Sequence, residues 1–278
     1  MVLLKLIRVR ETFFALPLAY VGVLLAAEEL PPFSLWFYVT TALVSARALG
    51  MCLNRIFDKK LDAKNPRTAH RLLPTGEVSV STAVGYSILF AILFVLSAYK
   101  LNTLCFYLSL PALFLLITYS LIKRFSAMSH LYLGLTEACA PIGGALAVHP
   151  EFSLKALLLG LYVILWIAGF DIIYACQDYE SDKTNRLFSI PAKYGLKKAL
   201  ITSSLLHSAA VLTLFLTGIM VNAHFLYWLC LIVVCCFFIR QHTIISEKDL
   251  TRINAAFFNM NRNISLAVFS AFLLNFIF

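Results

Sequence analysis

Long apolar runs alternate with polar breaks along almost the whole chain. Nine runs have about the length that crosses a hydrocarbon layer as an α-helix, at approximately residues 13–28, 33–53, 80–98, 101–121, 129–148, 153–172, 200–221, 223–240 and 260–277. The breaks at Pro31-Pro32, Asn102 and Asn222 are short, whereas those on the opposite side are longer and more polar. This pattern predicts an all-α membrane protein with nine transmembrane helices in a single bundle. No Gly/Ser linker or low-complexity tract divides it, so residues 1–278 read as one integral-membrane domain. Val2 to Arg10 mixes cations with Leu3, Leu4, Leu6 and Ile7 and reads as a short interfacial helix rather than a cleavable signal. The stretch 241–259 is polar enough to lie at the surface, and Ser189 to Gly195 has the makings of a short helix over the polar end.

Composition agrees: 61% of residues are hydrophobic and 13% charged, against roughly a quarter charged in soluble globules. The net charge of +9 would point to nucleic acid in a soluble protein, but its placement excludes that reading here. Of the 23 Lys and Arg, 20 fall in the longer breaks or at their edges, and only Arg47, Lys100 and Lys155 do not. Such asymmetry predicts a cytoplasmic amino terminus, an outer carboxyl terminus and a cytoplasmic-facing site; the membrane is expected to be a bacterial plasma membrane. The seven cysteines lack metal-ligand spacing, lie in apolar surroundings and read as packing residues without disulfides. No obligate protein partner is evident.

Against this apolar background, two ladders of polar residues stand out. Asn54, Asp58 and Asp62 recur every four residues, as do Tyr174, Asp178 and Asp182, with Asp171 further back. On a helix each set forms a stripe. After each, a basic loop leads to a glycine, Gly76 or Gly195, so that segments near 54–76 and 174–195 read as an internal repeat. Carboxylates gathered at one interface repel one another unless cations bind them. Magnesium takes oxygen ligands and is held by one or two carboxylates plus substrate phosphates. Asp58, Asp62, Asp178 and Asp182, with the amide oxygen of Asn54, are therefore the candidate metal ligands and catalytic residues.

Arg47 shares the face of the first ladder and lies deeper. A mid-span arginine is expensive unless paired or lining a polar cavity, where it neutralises the aspartates or binds an anionic group. Asp171 occupies the corresponding position on the second stripe, either as a structural partner, with Arg47 one option, or as a site residue. Tyr174 can steady a diphosphate oxygen or a developing cation. Tyr119, Lys123 and Arg124 close the fourth run, where the cations serve topology or ligate phosphate. Arg67 in the first loop and Lys183 and Lys193 in the second complete the candidate substrate ligands. Among the 23 Phe, 12 Tyr and 3 Trp, some are expected to line a tunnel for a lipid tail and face a cation through their rings.

The run from Gly50 to Thr68, GMCLNRIFDKKLDAKNPRT, resembles the first signature of the UbiA-type intramembrane prenyltransferases. Tyr174 to Asp182 resembles the second signature, and Tyr119-x3-Lys123-Arg124 a third element. The likeness covers nearly the whole chain. It implies a UbiA-like prenyltransferase fold and magnesium-dependent transfer of a prenyl group from a polyprenyl diphosphate to a small aromatic acid in the membrane. The Asn65-Pro66-Arg67-Thr68 tail is most similar to the 4-hydroxybenzoate polyprenyltransferase branch, whose close relatives act on hydroxynaphthoates in menaquinone synthesis. The second ladder departs from the family pattern in opening with Tyr174 rather than Asp. Two other classes stay open on the residues alone: a transporter or proton relay built around Arg47 and Asp171, and a magnesium-dependent lipid phosphotransferase.

Overall fold

A computed structural model describes residues 2–278, apart from the side chains of residues 9–14, 255 and 257. Twelve α-helices are described: α1 (Val2–Leu6), α2 (Val9–Ala26), α3 (Phe33–Lys64), α4 (Val80–Leu101), α5 (Thr103–Ile122), α6 (Ser129–Val148), α7 (Leu154–Ala175), α8 (Tyr179–Thr184), α9 (Ile190–Tyr194), α10 (Leu196–Met220), α11 (Phe225–Thr243) and α12 (Asn261–Ile277). Eight helical segments are long and apolar enough to cross a membrane. The remaining predicted span is α2, whose apolar portion Ala15–Ala26 is shorter.

The spanning helices form a closed ring in chain order. Each packs on the next, α7 is followed in the ring by α10, and α12 returns to α2. Inside this ring α2 also lies against α6, where two glycines permit close approach. A Cβ on Gly22 would fall 1.9 Å from the Pro141 carbonyl oxygen, and one on Gly144 would fall 2.2 Å from that of Ala19. Small residues at helix contacts are the usual device where lipid removes the hydrophobic drive for association. Leu18, Val21, Tyr162, Trp166, Leu214 and Val268 are among the residues of the largest buried cluster. Large apolar side chains such as Phe114, Leu205, Leu229 and Ile239 instead point outward, as a lipid-facing surface allows.

The polar breaks close as their residues dictate. Asn102 caps α5 by accepting from the Cys105 amide and donates to the Leu146 carbonyl. Asn222 takes a φ of 48°, a left-handed geometry that asparagine tolerates well. At the opposite end α1 stops at Leu6, before the Arg10 boundary read from sequence, because Arg8 turns left-handed with φ of 50°. The segment 241–259 is less superficial than its polarity implies: Gln241, Ile253 and Ala256 are buried. Its last part is a π-helical turn, Ala255–Met260, and Gln241 donates to the Ala256 carbonyl across it. All seven cysteines are free thiols; Cys52, Cys105 and Cys176 are buried, while Cys236 faces outward, contrary to a packing role.

Candidate active site

Helix α3 has 32 residues, about 48 Å at 1.5 Å per residue. It therefore outruns a hydrocarbon core of about 30 Å, and its surplus turns carry the first ladder. Asn54, Asp58 and Asp62 share one stripe, with Asp58 2% and Asp62 6% exposed. The second ladder is built differently. Tyr174 belongs to α7, Asp178 to a 3₁₀ turn over Cys176–Asp178, and Asp182 to α8. The regular helical stripe expected there is thus interrupted by a tighter turn at Asp178.

Both ladders line one cavity of about 380 Å³, together with Arg47, Arg67, Tyr119, Lys123 and Asp171. Each ladder acid but one meets a cation. Asp58 accepts from Lys123 Nζ at 2.5 Å and lies 3.4 Å from Arg124 Nη2, which also donates to the Phe57 carbonyl. Asp62 accepts from Arg71 Nη1 at 2.7 Å. Asp178 receives a two-pronged contact from Arg67, Nε to Oδ1 at 2.9 Å and Nη2 to Oδ2 at 2.6 Å, while Arg67 Nη1 donates to the Tyr174 hydroxyl. Burial works against the charge of Arg67, but the hydrogen bonds and charge of Asp178 outweigh it and hold the guanidinium above its ordinary value. Among the described residues Asp182 has no Lys or Arg at ion-pair distance, and it lies near the Ser189 side chain.

The Asn65-Pro66-Arg67-Thr68 turn explains how a loop arginine arrives there. Asn65 Oδ1 accepts from the Arg67 amide, Asn65 Nδ2 donates to Asp178 Oδ1, and Thr68 Oγ1 folds back onto the Asp62 carbonyl. One asparagine side chain thereby fixes the turn and bridges the two ladders.

Several expectations change. Arg47 is paired with Glu137, Nη1 to Oε1 at 2.5 Å, and Asp171 with His130 at 2.7 Å, so the suggested Arg47–Asp171 pair does not form. The Tyr119 hydroxyl donates to the Gly50 carbonyl and ties α5 to α3. Arg124 reaches Asp58 without lining the cavity. Lys183 and Lys193 lie outside it: each is exposed and sits over a neighbouring tyrosine ring, Tyr179 at 4.7 Å and Tyr194 at 5.2 Å. Helix α9 forms where expected, capped by Ser189, and the Ile190 amide donates to His130. Residues the sequence reading missed include Asn65, His130 and Glu137. The signal for Glu137 was available, since it is an acid in the middle of an apolar run.

A second cavity of about 300 Å³ continues past Arg47 and Glu137, which line both spaces. Its other walls include Val39, Leu43, Ala98, Leu108 and Leu115. Here the wall is chiefly aliphatic; the aromatic side chains expected of a tunnel, Trp166, Phe170, Tyr174 and Phe258, cluster in the first cavity.

The donor set suits a hard cation. Asp62 Oδ2 is buried without a hydrogen-bond partner, 3.9 Å from Arg55 Nη1, and the ladders offer only oxygen ligands. Among the described residues no three His, Cys, Asp or Glu gather into a closed cage.

A ring of apolar helices thus encloses paired acids and interleaved cations at one end of a cavity. Residues 15–264 match the UbiA prenyltransferase family, and the chain belongs to it as a polyprenyltransferase. It is 29% identical to a 4-hydroxybenzoate octaprenyltransferase of Francisella tularensis subsp. novicida over 249 residues, covering 89% of this chain and 87% of that one. A 4-hydroxybenzoate octaprenyltransferase of Neisseria meningitidis is 27% identical, over 82% of this chain and 77% of its own. Among solved structures, the apo structure of a UbiA homolog from Aeropyrum pernix K1 superposes with a TM-score of 0.87 at 31% identity, covering 95% of this chain and 98% of that one. A UbiA homolog from Archaeoglobus fulgidus bound to DMAPP and Mg2+ shares the fold, with a TM-score of 0.73 at 20% identity over 96% of this chain and 99% of that one.

Proposed function

We propose that the protein transfers a polyprenyl group from an allylic diphosphate to a small aromatic acid, 4-hydroxybenzoate or a related hydroxynaphthoate, using magnesium, in ubiquinone or menaquinone biosynthesis. The observation that carries this reading is the pairing of Asp58, Asp62 and Asp178 with Lys123, Arg71 and Arg67, beside Asp182, around one cavity between apolar helices. The relatives named as 4-hydroxybenzoate octaprenyltransferases, and the homolog bound to DMAPP and Mg2+, support the choice of substrates and metal.

Asn54, Asp58 and Asp62 on one side, and Asp178 and Asp182 on the other, would hold the metal. Bound magnesium supplies positive charge to the diphosphate oxygens and so favours departure of the leaving group. Lys123 and Arg67 are placed to turn from their carboxylates toward the same polyanion. Trp166, Phe170 and Tyr174 offer π faces to the allylic cation left behind. The buried walls exclude water, which would otherwise capture that cation. The ladder end of the bundle faces the cytoplasm in this reading, in a bacterial plasma membrane, where diphosphate and metal are supplied.

The test offers the purified protein one labelled prenyl diphosphate and a panel of aromatic acids, with and without magnesium. The expected outcome is a prenylated aromatic product and magnesium-dependent pyrophosphate release. A transporter would release no pyrophosphate, and a lipid phosphotransferase would leave phosphate in its product. Either result refutes the proposal.

A further inference from the structure

Lys193 lies outside the cavity, and its neighbours show what it faces instead. Residues 183–198 hold Lys183, Arg186, Lys193, Lys197 and Lys198, and no Asp or Glu falls between residues 183 and 246. Lys193, Lys197 and Lys198 are all exposed, and none belongs to an ion pair among the described residues. The corner between α9 and α10 is therefore a patch of uncompensated positive charge.

Helix α10 fixes the level at which that charge stands. One face runs through Ala199, Ser203, His207, Ala210 and Leu214 and is buried in the bundle. The other reads Lys197, Ile201, Leu205, Leu212 and Leu216, all exposed, at close to helical spacing. Those large apolar side chains face lipid, and Lys197 and Lys198 head the same stripe one turn further on. The lysines thus stand beside the headgroups rather than over the polar end of the bundle. Tyr194, which lies under Lys193 Nζ at 5.2 Å and is 51% exposed, adds the amphipathic ring common at this level.

The corner is also tied to the site. Helix α9 has five residues, far below the length that persists unaided in water. Ser189, which caps it, lines the cavity, and the Ile190 amide donates to His130 at 3.2 Å. Gly195, at a φ of 86°, then turns the chain into α10. One end of α9 is thereby held at the cavity wall and the other ends in the basic corner.

We propose that the α9–α10 corner binds the headgroup of an anionic phospholipid through Lys193, Lys197 and Lys198, and that lipid held there steadies the segment 185–195 beside the ladder end of the cavity. The phosphate of such a lipid supplies the charge that the chain itself does not. The proposal needs only the membrane placement of α10, not the prenyl-transfer reading, and its experiment measures no product.

Wild type is placed in nanodiscs, which leave both faces open, made of phosphatidylcholine alone or mixed with phosphatidylglycerol. Beside it stand a variant carrying Lys193→Gln, Lys197→Gln and Lys198→Gln and a second with Lys→Arg at the same three positions. A phosphatidylglycerol with a photoreactive group near its headgroup is expected to crosslink to residues 193–201 of wild type. Removing the three charges should lower that yield roughly a hundredfold, at about fivefold per lysine. Chymotrypsin, whose targets Phe188 and Tyr194 every variant keeps, should cut residues 185–195 several-fold more slowly when phosphatidylglycerol is present. Wild type and the Arg variant should show this protection and the Gln variant should not. Crosslinks spread evenly around the bundle, cleavage indifferent to phosphatidylglycerol, equal protection by inorganic phosphate in phosphatidylcholine discs, or undiminished protection in the Gln variant would each overturn the proposal.

Discussion

At the scale of single residues, the cavity is an arrangement of charges that neutralise one another across long stretches of chain. Arg67 and Asp178 stand 111 residues apart and Lys123 and Asp58 65 apart, so local periodicity could display the acids and the cations without showing which meets which. Asp58→Ala or Asp178→Ala should lower magnesium-dependent pyrophosphate release by roughly a hundredfold or more, as loss of a preorganised electrostatic group does, while the protein still elutes as a folded species in detergent. Arg67→Lys keeps the charge but loses the two-pronged contact with Asp178 and the bond to Tyr174. Losing one charge-assisted hydrogen bond is expected to reduce turnover roughly ten- to a hundredfold, which steady-state kinetics would reveal. Glu137→Ala strips a partner from Arg47 at a half-buried, mid-span position. A midpoint of thermal unfolding in detergent close to wild type would contradict the expected loss of roughly 3 kcal/mol.

Helix positions were legible because apolar length is a strong local signal, and boundaries shifted where one residue overrode it. Arg8 ended α1 early through its left-handed backbone, and the 3₁₀ turn at Cys176–Asp178 interrupted a stripe that spacing alone made continuous. The two ladder segments are carried on unlike structures: an unbroken α3 and a jointed α7–α8. Packing between elements yields a paired expectation. Gly22→Ala places a methyl group 1.9 Å from the Pro141 carbonyl and should destabilise the protein by about 1–3 kcal/mol. Gly85→Ala, with nothing within 4 Å of the new atom in the body of α4, should be neutral or stabilise by about 0.5–1 kcal/mol. Denaturation monitored by circular dichroism separates the two. Ser189→Ala removes the cap of α9, worth about 1 kcal/mol, and should make residues 185–195 the first point of protease cleavage.

For the whole molecule, the distribution of Lys and Arg predicts which end faces inward. Single cysteines introduced at Glu77 and at Glu29 in a cysteine-free background should react with an impermeant thiol reagent in opposite vesicle orientations. Labelling of Glu77→Cys from outside intact cells would reverse the topology. The ring itself carries a consequence for how the protein is made. Because neighbours in space follow the order of the chain, most helices meet a partner soon after they enter the bilayer, but α2 receives α12 only after every other spanning helix has been inserted. Helix α12 also completes a buried network, in which Asn261 accepts from Trp166 on α7 and from Gln241 on α11. Until α12 arrives, those donors face an unfinished interior, so the nascent protein passes through a stage with its acids already gathered and its wall still open.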